Sequence, residues 1–375
     1  MKFIISTQEL NYLIGKIQNI VSVKPTIPIL SNLLIEASND ELVLTATDLT
    51  VGIRCNTEVK ILEEGATTLP AKKFAQLVRE LTHANVEISS NSNEITTVIA
   101  GTSRFKLNGI SKEEYPALPD LTHADSFKIK QKDLKDLLYR TSFAVSKEDN
   151  RYVLTGILMQ IANSQLTFVG TDGKRLARSH ALIDTPPSFT NQSIIPLKAV
   201  DEILKNLNSE DDDVKISLMP DKIAVLANQT MLLTKLLTGD YPEISRVIPE
   251  NSEIILSLHR EELMSLLRQV SLFIADHNHS VRFTFTDGEL KLTANTLDIG
   301  EGQVGMPVNY QGSKLEIAFN PGFFLDILRH CKEETVTMGL TDAYNPGVIT
   351  DGEQSGKLVK ASPLYIIMPM RLSED

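Results

Sequence analysis

The 375-residue chain has no tryptophan, only two cysteines, and no apolar run long enough to span a bilayer as a helix. Each scarcity excludes something. Without tryptophan or an aromatic-rich stretch, there is no motif for reading or stacking on bases. Cys55 and Cys331 lie far apart and neither has a CxxC neighbour, which argues against a disulfide framework or thiolate metal site; free thiols in a reducing cytoplasm are expected. Only three apolar residues follow Met1-Lys2, so neither a signal peptide nor a membrane association is expected. Positive charge is short too. The net charge is −11 at pH 7, which by itself speaks against nucleic acid.

Catalytic signatures are also missing. No GxSxG, HExxH or Cys/His nucleophile pattern occurs. Gly300 to Gly305 reads GEGQVG and matches GxGxxG literally, but it runs into MPVNY. A strand is expected there, not the helix that a dinucleotide site requires. Gly170 to Leu176 reads GTDGKRL; it lacks the leading glycine of a phosphate loop, and Arg175 replaces its Ser or Thr. Asp276-His277-Asn278-His279 has no distant third ligand and reads as a hydrophilic loop, so no metal or cofactor is expected.

What is present is said three times. MKFIISTQELNYLIGKI at Met1, SFKIKQKDLKDLLYRTSF at Ser126 and EIILSLHREELMSLLRQVSLF at Glu253 each run a short alternating strand into an amphipathic helix, with Leu10, Leu134 and Leu263 at matching points. A period of roughly 125 residues is too long for a solenoid repeat and has the size of a small domain. A hairpin follows each time, at Leu33 to Leu49, Ile157 to Gly173 and Val281 to Leu297. A second strand–helix unit comes next: TTLPAKKFAQLVREL, SIIPLKAVDEILKNL and LEIAFNPGFFLDILRHC, with Pro70 and Pro196 at helix starts. A closing hairpin ends each third. The reading is α+β, three similar domains at 1–124, 125–250 and 251–375, each with two helices on antiparallel sheets. Pro-rich acidic connectors, Tyr115 to Asp125 and Tyr241 to Glu253, separate them.

Net charge hides distribution. Lys24, Lys72, Lys73, Lys132, Lys135, Arg140, Lys198, Lys205, Arg260 and Arg268 sit on or before the expected helices, whereas acids crowd into hairpins and connectors. If all helices face one way, one surface is basic on an acidic protein. The plainer alternative is that these are ordinary solvated helix faces. Two further readings stay open on composition: an enzyme of repeated α+β domains using coupled carboxylates, and a monomeric peptide-binding scaffold.

Three segments supply apolar and cationic residues together: RYVLTGIL (Arg151 to Leu158) with GTDGKRLA, YPEISRVIP (Tyr241 to Pro249), and YIIMPMRL (Tyr365 to Leu372). A Met-lined groove is one way to hold varied peptides; on spacing alone the plainer reading is that YIIM is the last core strand and MRL its frayed end. With KPTIPIL and NLLIEA (Lys24 to Ala37), ATDL (Ala46 to Leu49) and AFNPGFFLDIL (Ala318 to Leu328), these segments, over the whole chain, resemble the beta subunit of bacterial DNA polymerase III, the sliding clamp family. The resemblance implies the DNA clamp fold and a head-to-tail dimeric ring with helices lining the hole. It implies no enzymatic activity and a cytoplasmic place. Its implied partners are a second copy, encircled duplex DNA, the polymerase catalytic subunit, the clamp loader and other replication and repair factors. It further implies a partner-peptide pocket at Arg151, Leu154, Thr171, Gly173, Lys174, Arg175, Leu176, Pro242, Arg246, Val247, Asn320, Phe323, Ile366, Met368, Pro369, Met370 and Arg371. DNA contacts are implied at Lys24, Lys73, Tyr152 and Lys198, and a subunit contact of Phe105 and Leu107 against Leu272 and Phe273. The chain departs from the family in a longer SGKLVKASP segment before the last strand, in Tyr344-Asn345-Pro346 beside the pocket, in an acidic tail, Ser373 to Asp375, and in sparse acids, Asp298 and Glu301, opposite the Phe105 side.

Overall fold

The computed structural model describes residues 1–21, 27–208, 211–274, 279–296, 298–354 and 357–371. Six α-helices occur among them: α1 (Thr7–Ile17), α2 (Ala71–Glu80), α3 (Gln131–Ser142), α4 (Leu197–Asn206), α5 (Arg260–Val270) and α6 (Pro321–His330). Their local causes are legible. Ser6 caps α1 by accepting from the Glu9 amide at 3.1 Å, and Leu10, Leu13, Ile14 and Ile17 form one buried stripe, the 3.6-residue pattern of an amphipathic helix. His259 caps α5 through its ring nitrogen. Asn320 caps α6, with Pro321 in its first turn. Leu10, Leu134 and Leu263 are all buried; each contributes about 1.5–3 kcal/mol over an exposed side chain.

The chain forms two compact units. One comprises Met1–Lys132 and Asp201–Leu236, the other Asp133–Val200 and Leu237–Asp375. In the first, five strands run in the order Lys60–Glu63, Lys2–Ser6, Asn85–Ser90, Ile95–Ala100, Ser103–Asn108. Eight more run Asp125–Lys130, Asp213–Leu218, Lys222–Ala227, Thr230–Lys235, Val51–Glu58, Glu41–Thr47, Asn32–Ser38, Gly65–Pro70. The second unit holds an eight-stranded sheet: Asn191–Pro196, Gly156–Ala162, Gln165–Thr171, Arg175–Leu182, Leu364–Ile367, Gly347–Asp351, Thr335–Leu340, Ile254–His259. It also holds four strands ordered Gly300–Pro307, Glu289–Thr296, Val281–Thr286, Leu315–Phe319.

Compactness follows the sheets, whereas the repeat follows the sequence. Strand Thr230–Lys235 of the middle third pairs with Val51–Glu58 of the first, Thr230 opposite Cys55. Strand Arg175–Leu182 pairs with Leu364–Ile367 of the last third, Leu176 opposite Ile366. The segments read as closing hairpins are three-stranded in each third. The GEGQVG motif lies inside strand Gly300–Pro307, with no helix after it. Cys55 and Cys331 are buried free thiols; burial pushes the Cys55 thiol up to about 12. Among the described residues no His, Cys, Asp and Glu group could hold a metal; Asp276 to Asn278 lie outside them. No described helix is long and apolar enough to cross a membrane.

Candidate functional site

The residues expected to line a peptide pocket all belong to the second compact unit. Strand alternation builds the floor. Leu176 and Ile366 face each other across adjacent strands, and with Leu154, Leu158, Val169 and Tyr241 they form one apolar cluster against which Val247 packs. Leu154 and Leu176 are only 4% and 3% exposed. The floor is therefore already dry, and Val247, Met368 and Met370 are half-buried.

The turn from Thr171 to Arg175 is set by Asp172. Its Oδ1 accepts from the amides of Lys174 at 2.9 Å and Arg175 at 3.0 Å. Gly173 sits at φ +82°, a backbone conformation that favours glycine, and a Cβ there would displace the end of the exposed Arg151 side chain. Arg151 is exposed and donates to the Asp172 carbonyl at 3.3 Å. Lys174 is exposed, and its carbonyl accepts from the Met368 amide at 2.9 Å. The Met370 amide donates to the Ala318 carbonyl at 2.8 Å. The chain end is thus tied to Lys174 and Ala318 by two main-chain bonds.

Arg175 differs from what its charge implies. It is a buried clamp, not a rim cation. Its Nε pairs with Asp172 at 3.1 Å, its Nη1 with Asp326 at 2.8 Å, and its Nη2 donates to the Phe143 carbonyl at 3.1 Å. The guanidinium also lies over the Phe323 ring, 4.5 Å from its centroid. Asn320 is occupied as the cap of α6, accepting from the Gly322 and Phe323 amides. Pro242 is exposed, and Arg246 is exposed and paired with Glu243 at 2.6 Å, on the 3₁₀ turn Ile244–Val247. Pro369 is half-buried and Arg371 exposed; Ser373 to Asp375 lie outside the described residues. Tyr344 stands 89% exposed on a turn held by Asp342.

Sequence reasoning missed the supports beneath Arg175. His330 stacks on Phe143 with centroids 4.1 Å apart, and its Nδ1 meets the Asp326 carbonyl. Burial, with Arg175 and Arg329 nearby, holds His330 below its ordinary pKa; burial lowers His180 too. Depressed histidines bind fewer protons folded than unfolded, so stability is full above the unfolded value near pH 6.5 and falls as pH drops below it. The melting temperature should decrease from pH 7.5 to 5.5, and His330→Gln should flatten that slope. An unchanged slope would remove His330 as its cause.

Of the other expected contacts, Lys24 lies outside the described residues. Lys73 and Lys198 are exposed in the first turns of α2 and α4, and Tyr152 is 56% exposed. α1, α3 and α5 carry acids in their first turns, whereas α2 and α4 carry none. Lysine there opposes the helix dipole, yet a lysine beside free helix amides favours a phosphate. Phe105 and Leu107 lie on Ser103–Asn108, the last strand of the five-stranded sheet; Phe105 is 38% exposed. Leu272 is 74% exposed, and Phe273 packs over Gly302 in the outermost strand of the four-stranded sheet. The enzyme alternative needs a carboxyl raised by burial or a neighbour. Among the described residues, the displaced carboxyls, Asp120, Asp211, Asp213, Asp221, Glu316 and Asp342, are lowered by hydrogen bonds to lysines or turn groups.

The DNA polymerase III beta subunit domains match in order: the N-terminal domain over residues 1–119, the central domain over 128–243 and the C-terminal domain over 245–371. The chain is 52% identical to the beta sliding clamp of Chlamydia muridarum over the full length of both. Its fold is similar to the DNA polymerase sliding clamp of Bacillus subtilis, with 27% identity, 99% of each chain covered and a TM-score of 0.94. It is equally similar, at TM-score 0.94 and 29% identity, to a Pseudomonas aeruginosa sliding clamp bound to griselimycin, covering 99% of this chain and 100% of that one. With three domains matched in order and half of all residues shared with a curated relative, the chain belongs to the DNA polymerase III beta subunit family, the sliding clamps.

Proposed function

We propose that two copies close head to tail into a ring around duplex DNA, and that each copy offers its Leu176 floor to short segments of its partners. These are the polymerase catalytic subunit, the clamp loader and other replication and repair proteins, met in the cytoplasm. The protein works as a sliding clamp and does no chemistry of its own. The observation that carries the ring is a pair of unlike open sheet edges on one chain. Ser103–Asn108 presents Phe105, Arg104 and Lys106; Gly300–Pro307 lies beside Leu272 and carries Glu301. Unlike edges join head to tail, pairing covers strands that would otherwise invite aggregation, and the opposite charges match.

The lysine-headed helices α2 and α4 favour phosphates without reading bases, so DNA affinity should be weak, sequence-independent and salt-sensitive. Loaded protein should stay on nicked circular DNA and run off linear DNA. Lys73→Glu with Lys198→Glu should slow loading and reduce the salt slope of log K by about 2 per protomer, at roughly 0.9 per lost phosphate contact. Equal retention on linear and circular DNA would exclude encirclement.

A further inference from the structure

Residues 357–363, before the last strand, fold against the eight-stranded sheet that holds Arg175–Leu182. Leu358 and Val359 join the apolar cluster of the Leu176 floor. Ser362 ties the segment down, accepting from the His180 amide at 2.8 Å and donating to the His180 carbonyl at 3.1 Å. Between this segment, the 3₁₀ turn Ile244–Val247 and the sheet lies a cavity of about 390 Å³. Arg178, His180 and Lys360 line it, with Gln160, Gln165 and Thr167 from the neighbouring strands and Ile244.

No carboxylate pairs with Arg178, His180 or Lys360 among the described residues, and none lines the cavity. Arg178 is half-buried; one Nη donates to the Val359 carbonyl, but its Nε is fully buried without a hydrogen-bond partner. A guanidinium whose Nε is desolvated and unpaired, with no counter-ion, costs stability. We propose that this cavity is a carboxylate site, which takes a Glu or Asp side chain flanking the apolar motif of a bound partner peptide. The inference rests on the peptide reading of the Leu176 floor. Two rulers place the cavity beside that floor. Arg178 is two residues along its strand from Leu176, about 7 Å on the same face, and Ile244 is one 3₁₀ turn from Val247, about 6 Å. An acidic residue next to the motif can therefore reach Arg178 without leaving the surface.

The test is calorimetric titration of the dimer with Gln-Leu-Ser-Leu-Phe alone, and with Glu-Glu or Gln-Gln added at either end. One Glu-Glu peptide should bind about tenfold tighter than its Gln-Gln twin, as expected for a charge-assisted contact. The advantage should vanish in Arg178→Gln and in Lys360→Glu, while the unextended peptide binds as before; Arg178→Lys, which keeps a donor and the charge, should retain part of it. Glu-Glu and Gln-Gln peptides of equal affinity, or an advantage that survives Arg178→Gln, would overturn the carboxylate site. If the unextended peptide fails to bind, the peptide reading falls instead. The cavity is then read from the Arg178 Nε–H resonance, which should shift saturably with N-acetylglutamate and not with N-acetylglutamine. A resonance indifferent to both overturns the site.

Discussion

Leu272→Asp should give a 41.6 kDa particle by light scattering, where the unaltered chain gives twice that mass. Leu272 is 74% exposed within its own chain, so the change should leave the protomer's melting temperature within a degree or two. In the proposed contact the same side chain is buried. Losing its burial costs about 1.5–3 kcal/mol, and desolvating a carboxylate there costs several more. A ring of two copies contains this contact twice, so the penalty doubles for closure. Phe105→Asp, on the opposite edge, should act the same way, and the two variants mixed should still form no ring. An unaltered chain that is monomeric at micromolar concentration, or a dimeric Leu272→Asp, would exclude the head-to-tail contact.

Removal of Met370 to Asp375 should lower affinity for a Gln-Leu-Ser-Leu-Phe peptide at least a hundredfold and leave the mass unchanged. Burying two large apolar side chains yields about 3–6 kcal/mol before ordering costs, enough for micromolar binding of an isolated peptide. Met370 is half-buried, and its amide donates a hydrogen bond to the Ala318 carbonyl; in the proposed pocket it covers the peptide's apolar pair, which stays wet on one side without it. Leu176→Asp should abolish binding outright. Since Leu176 is 3% exposed, that variant also tests the fold, and Met368→Asp, at a half-buried position, separates the two effects. Removing only Ser373 to Asp375 should keep binding or improve it for acidic peptides. Full affinity in all of these variants would place the peptide elsewhere.

The repeat was legible because it is written in local chemistry. The hairpins at Asn39-Asp40 and Asn163-Ser164 take positive φ at both residues, as tight turns between alternating runs require. The leucine stripes of α1, α3 and α5 follow from period alone. The pairing of Thr230–Lys235 with Val51–Glu58 was not legible, because a strand's pattern shows which face is dry but not which distant strand lies beside it. The Leu176 floor could be named through family resemblance. The state of Arg175 could not, because its charge reads as solvent-facing until Asp172, Asp326 and Phe323 are brought around it. The same holds for Arg178, whose buried Nε depends on a segment nearly two hundred residues later folding over it.

The sheets that cross from one third to the next have a mechanical meaning. The joint between the first and middle thirds is a ladder of five residue pairs, Thr230 with Cys55 to Thr234 with Val51. The joint between the middle and last thirds has four, Arg175 with Ile367 to Arg178 with Leu364. A tether of loose linker would bend under load; a ladder resists until several backbone bonds shear together. Each joint is therefore a stiff weld, and in the proposed ring the contact between two copies is where we expect opening to admit DNA. Amide exchange should accordingly be slow at Leu232 and Ile366 and fast along Ser103–Asn108 in the opened protein.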